Sequence, residues 1–447
     1  MNLSLAVLSF AVLSGVLLLT QGEGAGAIAI LLPLVALIVW MICREGLDRE
    51  FLVRLFIGAL IARILVGTLI YAFHAQDFFG GDALTYDFYG TAQLKAWGGD
   101  KYYQGLTNRW FGSSGWGMMY LVAAIYRIIG RNMLAVQFVN AALGAATSAV
   151  TYLIAANLFG HTRTARVTAL LSAFLPSLVI WSSQGLKDGP IIFLIALSML
   201  AAVKLRAKLQ VKWVLVLALT LLALLAMRFY IFYMVILAIV SGLFFGIGST
   251  SAKSLIRQVI AMSVIALALF YFGATHFATN QYETYVSLKE VQLRRIDMAR
   301  SASGFQKDAD VSTPSGALGA MPLGVAYLLL APFPWQLGSV RQAIALPEMI
   351  LWWSSLPLLI LGLGFSLRHR LGQTVPILVF TTLLTLAYSI FQGNVGTAYR
   401  QRAQLLVFYL IFVSVGFVLF NEKRAQRRQC GTKMNSRRVL SIREDKA

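Results

Sequence analysis

Residues 116–130, "WGMMYLVAAIYRIIG", decide how the rest of the chain crosses a membrane. The stretch is apolar, yet its 15 residues fall short of the roughly 20 that a helix needs to span hydrocarbon. One more crossing here would put every upstream loop on the opposite side. Trp110, Trp116 and Tyr120 carry amphipathic rings suited to the headgroup level. We read the segment as a juxtamembrane helix lying at the outer interface, with a short true span as the competing reading.

The surrounding chain belongs in lipid. Of its 447 residues 58% are hydrophobic and only 13% charged, more apolar side chain than a soluble globule of that length can bury. Nearly uncharged runs of about 16 to 22 residues recur throughout, the length of a membrane-crossing helix. We read spans at 3–20, 25–43, 55–73, 133–158, 166–183, 188–204, 211–226, 230–247, 257–275, 348–366, 374–391 and 403–420. The first lacks a basic leader and a second run follows at once, so it is a span and not a signal peptide. The expected fold is an all-α polytopic transmembrane bundle of about twelve spans. Residues 1–420 form the membrane domain, with external loops at 74–132 and 276–347, and 421–447 form a basic tail.

Lysine and arginine set the orientation. Lys423, Arg424, Arg427, Arg428, Lys433, Arg437, Arg438, Arg443 and Lys446 place the tail in the cytoplasm. Counting back puts Arg368/Arg370, Lys253/Arg257, Lys204/Arg206/Lys208/Lys212, Arg163/Arg166 and Arg44/Arg49 on the same side. Both termini are then cytoplasmic. Much of the net charge of +20 is accounted for in this way, and it attracts anionic membrane lipids. Basic residues scattered between spans, without a binding module, argue against nucleic acid.

Cys43 and Cys430 both map to the cytoplasmic side, where no disulfide is expected. That excludes an external cysteine nucleophile. His74, His161, His276 and His369 lie far apart and on both faces, so neither zinc nor any other cofactor is expected. The second external loop reads as an amphipathic helix, "ETYVSLKEVQLRRIDMAR" (283–300), then a mobile linker, then a segment dipping into the interface, "MPLGVAYLLLAPFPW" (321–335).

Four basic residues stand on the side where the topology rule disfavours them. Lys187 in "SSQGLKDGP", Arg228 in "AMRFYIF", and Arg400 and Arg402 in "GNVGTAYRQRAQ" each lie at the outer end of a span. Lysine as a point charge and arginine as a fork match a phosphate or pyrophosphate at that depth; snorkelling to phospholipid is the alternative. Arg63, in the middle of the third span, costs about 2.5 to 3.5 kcal/mol there on insertion scales. It must face the bundle interior, in a structural ion pair or against substrate.

"GGDALTYDFYG", residues 80–90, opens the first external loop. Gly80 and Gly81 allow a sharp turn. Asp82 then starts a short helix, either as its N-cap or as a carboxylate facing a membrane-level cavity. Asp82 and Asp87 are five residues apart, about 140° around a helix, so they do not form an adjacent pair.

The stretch "GDALTYDFYGTAQLKAWGGD" (81–100) resembles the first external loop of the GT-C glycosyltransferases, membrane enzymes that use polyprenyl-phosphate-linked sugars. In their protein mannosyltransferase and aminoarabinose transferase branches, a span is followed by Asp-Glu-x-x-Tyr, a short helix and Gly-Asp. Asp82, Tyr86, Gly99 and Asp100 match, whereas Ala83 replaces the second acid. Residues 116–160 resemble the family's juxtamembrane helix, glycine turn and next span, and "LPSLVIWSSQGLKDGPIIFLIALSML" (175–200) the hairpin that follows.

The resemblance implies that Asp82 activates an acceptor hydroxyl, with inversion at the anomeric carbon. It also implies that Lys187, Arg228, Arg400 or Arg402 stabilises the departing polyprenyl phosphate, without a metal. Tyr86, Asp87, Asp188 and Arg63 complete the candidate substrate-binding set; Asp188 either orients Lys187 or caps the next helix. The expected function is transfer of a sugar from a polyprenyl-phosphate donor to a glycan, lipid or protein acceptor, outside a bacterial cytoplasmic membrane. Two alternatives stand: a lipid-linked oligosaccharide polymerase or ligase centred on "GNVGTAYRQRAQ", and a lipid-linked-sugar flippase.

Overall fold

The computed structural model describes residues 3–20, 22–111, 115–245, 287–301 and 303–444, with 260, 263 and 267 besides. Twelve helices come before residue 246: α1 Leu3–Leu19, α2 Glu23–Glu45, α3 Arg49–Ala72, α4 Asp82–Trp97, α5 Lys101–Trp110, α6 Trp116–Ile129, α7 Met133–Phe159, α8 Thr162–Phe174, α9 Pro176–Ser182, α10 Asp188–Ala207, α11 Val211–Met227 and α12 Phe229–Phe245. Among the described residues from 287 onwards come α13 Leu288–Ala299, α14 Pro314–Leu330, α15 Val340–His369, α16 Leu371–Phe391 and α17 Val395–Glu444. The chain is an all-α polytopic bundle. Among the described residues seven helices are long and apolar enough to cross a membrane, or eight if the bent pair α8–α9 is one span. Helices α1, α11 and α12 are apolar but no longer than 17 residues, and the expected span at 257–275, apart from residues 260, 263 and 267, lies outside the described residues.

Helix α7 is the axis, and its sequence says why. Ala135, Ala141, Ala142, Gly144, Ala145, Ala146 and Ala149 keep its surface thin, so α2, α3, α8 and α10 pack directly against it. Almost every residue from Leu134 to Ala155 is buried as a result. Helices α15 and α17 approach by the same device. A side chain at Gly362 would land on the Phe412 carbonyl, and one at Gly416 on the Leu358 carbonyl. By contrast α2 and α15 are the least buried of the candidate spans.

Two breaks shape the site. Pro176 has no amide hydrogen and holds Leu175 extended, so α8 ends there and α9 leaves at 53°. The turn after α9 is tied to the axis by Asn140, whose Nδ2 donates to the Gln184 and Leu186 carbonyls at 2.6 and 2.7 Å. At the first loop Gly80 and Gly81 adopt φ of +123° and +70°, and α4 starts at once. Residues 116–129 form the single helix α6 of 14 residues, packed on α4 and α11.

Candidate functional site

Five segments bring polar side chains together at one end of the bundle. The first turn of α4 supplies Asp82, the start of α10 supplies Lys187 and Asp188, and the α11–α12 break supplies Arg228. The end of α16 adds Tyr388, and the first turns of α17 add Arg400 and Gln404. Arg400 is the hub. Its Nη1 donates to Asp82 Oδ2 at 2.6 Å, while Nε and Nη2 lie 2.7 and 2.5 Å from Asp188 Oδ2. One guanidinium thus holds two carboxylates with three nitrogens, the fork geometry that lysine lacks.

The two acids live in different surroundings. Asp188 has a fully buried side chain and is further held by Gln404 Nε2 at 3.4 Å and Arg228 at 4.0 Å. A carboxylate so buried persists only with such partners. Asp82 is 48% exposed, and Gly81 stands as the N-cap of α4 without a side-chain bond. Its carboxylate therefore answers Arg400 and open space, and not the helix backbone. Asp188 likewise serves the arginines.

Arg228 Nη1 donates to the Tyr388 hydroxyl at 3.2 Å, and Tyr388 donates in turn to Gln404 Oε1 at 2.7 Å. Lys187 is the least committed cation: its amino group lies 6.0 Å from the centre of the Tyr86 ring and beside Gly115, where a Cβ would approach it to 2.7 Å. Desolvation, reinforced by the nearby Arg228, pushes the Lys187 amino group down to about 7. Burial and the fields of Asp82 and Asp188 push the Tyr86 phenol up, keeping it protonated under the lysine. With Lys187 protonated, three cations face two carboxylates, an excess of one positive charge.

Three expected site residues lie elsewhere. Arg402 is fully buried and faces away, donating to the Leu329 and Ala331 carbonyls at 3.1 and 2.9 Å and to Met349 Sδ at 2.8 Å. Arg63 faces the bundle interior, where it bonds Ser182 Oγ at 2.8 Å and the Ala59 and Ala173 carbonyls at 3.0 and 2.8 Å. Asp87 accepts from Tyr126 at 2.6 Å and from the Arg131 fork at 2.6 to 3.2 Å, fastening α4 to the α6–α7 turn. Among the described residues no group of three or more His, Cys, Asp and Glu side chains gathers as metal ligands would.

Sequence reasoning missed Tyr388, Gln404 and Gly115. Gln404 was legible: it lies four residues after Arg400 and so on the same helix face, a polar group inside a membrane span. Nothing local to Tyr388 marks it.

No curated protein matches the chain. Among solved structures it is similar to the Archaeoglobus fulgidus oligosaccharyltransferase AglB in complex with an inhibitory peptide and a dolichol-phosphate. Identity is 13%, the TM-score 0.44, and the likeness covers 72% of this chain and 44% of that one. The apo form of the Archaeoglobus fulgidus oligosaccharyltransferase gives 11% identity, a TM-score of 0.43 and coverage of 72% and 44%. The chain thus spans less than half the length of these proteins. Residues 114–276 match the family model described as dolichyl-phosphate-mannose-protein mannosyltransferase. This segment carries Lys187, Asp188 and Arg228, whereas Asp82 and Arg400 lie outside it. Over those residues the match bears out the resemblance of this chain to the protein mannosyltransferase branch of the GT-C membrane glycosyltransferases.

Proposed function

We propose that this chain is a membrane glycosyltransferase that moves a sugar from a polyprenyl-phosphate carrier to an acceptor hydroxyl, with inversion, at the external face of a bacterial cytoplasmic membrane. One observation carries the reading: Arg400 joins the half-exposed Asp82 to the buried Asp188, beside Lys187 and Arg228. A general base and an anion-binding set in contact are what attack on a phosphate-linked sugar requires.

The step balances as follows. The acceptor hydroxyl gives its proton to an Asp82 oxygen, and the hydroxyl oxygen forms the new bond to the anomeric carbon. The bond from that carbon to the carrier phosphate breaks, and its electron pair leaves with the phosphate. Lys187, Arg228 and one arm of Arg400 receive the added negative charge. A phosphate leaving group needs little protonation, so one carboxylate suffices where glycosidases use two. Arg400 Nη1 donates to Asp82. Donor phosphate competes for that arm and frees the carboxylate to act as base, while Asp188 keeps the rest of the guanidinium in place.

Purified protein in nanodiscs, given lipid-linked sugars extracted from bacterial membranes, is expected to release carrier phosphate and form a new glycosidic bond, both visible by mass spectrometry. Lipid moved between leaflets with no new bond would replace this reading with a transporter.

Lys187 makes the site pH-sensitive. Its proton is lost near pH 7 in the folded chain but near about 10.4 in an unfolded one. Between those values the unfolded chain binds more protons, so the lysine's contribution to stability rises with pH across that window. Anion binding runs the other way. Affinity for farnesyl phosphate, a short polyprenyl phosphate, is expected to fall as pH rises from about 7 to 9. In Lys187→Arg, charged throughout, titration calorimetry should find a flat profile. An equal fall in both proteins would remove Lys187 from the phosphate site.

A further inference from the structure

Beneath the charged cluster lies a buried knot that this chemistry does not use. Glu348, on α15, is 2% exposed. Its Oε2 accepts from the Ser177 amide at 2.5 Å and from the Tyr399 hydroxyl at 3.0 Å. Its Oε1 is buried without a hydrogen-bond partner among the described residues. The counter-charge is Arg402, whose guanidinium lies over the Tyr399 ring at 4.9 Å and feels the Glu348 carboxylate electrostatically. Arg402 also pins the end of α14 through the Leu329 and Ala331 carbonyls.

Both donors to Glu348 belong to segments that carry the site. Ser177 sits in the first turn of α9. The Trp181 ring of that helix lies 5.7 Å from the Arg400 guanidinium, and its far end runs into Lys187 and Asp188. Tyr399 is the chain neighbour of Arg400 and packs on Trp181 at 6.4 Å. A single carboxylate therefore sets how far the α9 turn stands from α17, which is the spacing between Asp188 and its arginine.

We propose that Glu348 is a positioning residue of the transferase site, acting through Tyr399 and the Ser177 amide to hold Arg400 in register with Asp188 and Lys187. This rests on the transferase reading. A misplacement of order 1 Å at such a distance from the chemistry costs up to about a hundredfold.

The test uses the full chain, farnesyl phosphate as probe and two mild variants. Tyr399→Phe removes one hydroxyl, and Glu348→Gln keeps an acceptor oxygen while removing the charge. Each is expected to raise the Kd about five- to tenfold. The double variant should be clearly better than the product of the two single effects, because Tyr399→Phe and Glu348→Gln share the Tyr399–Glu348 contact. A purely structural role would lower the melting temperature and leave the Kd of the folded protein unchanged. Kd values within twofold of wild type in both single variants would overturn the positioning role alone. Failure of the wild-type chain to bind the probe would overturn the transferase reading, and the positioning role with it.

Discussion

Asp82→Asn is expected to lower turnover by about 10²- to 10⁴-fold, the range supplied by a positioned general base. Asparagine is nearly the same size, and its amide oxygen still accepts from Arg400 Nη1. The substitution thus removes basicity and charge while sparing geometry. Asp82 is half exposed, so thermal stability should change by no more than about 1 kcal/mol. Affinity for the donor should hold or improve, because a negative charge next to the phosphate is gone and Arg400 is released more easily. A fall in kcat with KM unchanged is the signature of an interaction needed only in the transition state. Single-turnover kinetics separates this from slow binding. Full activity in Asp82→Asn, with loss in Arg400→Ala, would instead favour a polymerase or ligase working through arginine.

Much of this site is written in the sequence as charges in disfavoured places. Lys187, Arg228 and Arg400 each stand at the end of an apolar run, and Asp82 follows a glycine pair that turns the chain. Burying such groups costs several kcal/mol unless something pairs with them, so their positions were informative. Helical phase sorted the rest. Asp82 and Asp87 are about 140° apart on α4, and they have separate partners in the fold. The same arithmetic separates Arg400 from Arg402: two residues put them about 200° apart on α17, one facing the acids and the other the α14 carbonyls. Arg63 shows the opposite limit. The sequence demanded an interior partner for it, and the fold answered with Ser182 and two neutral carbonyls contributed by α3 and α8. Which helices meet depends on the long-range packing of thin, alanine-rich faces, which local periodicity does not encode. For that reason Tyr388, brought to Arg228 from 160 residues away, and Glu348, which joins α9 to α17, carry no local mark.

Arg400→Ala is expected to abolish transfer and also to destabilise the fold, and the two effects should be separable. The substitution leaves Asp188 fully buried with Arg228 at 4.0 Å and Gln404 at 3.4 Å as its remaining partners. Removing one partner of a buried pair costs about 3 to 5 kcal/mol, because the other charge stays desolvated. Neutralising that charge should recover much of the loss. In Arg400→Met combined with Asp188→Leu, apolar side chains fill the space of the pair, an exchange that is often neutral or stabilising. The melting temperature of the double variant in detergent is therefore expected to return towards wild type. Its activity should not, because no fork remains to take the carrier phosphate or to hold Asp82 in place. Arg400→Lys provides the intermediate case: it retains charge but cannot span two carboxylates, so stability should fall less than in Arg400→Ala while turnover remains low. Recovery of activity together with stability in the double variant would show that Arg400 serves the fold alone.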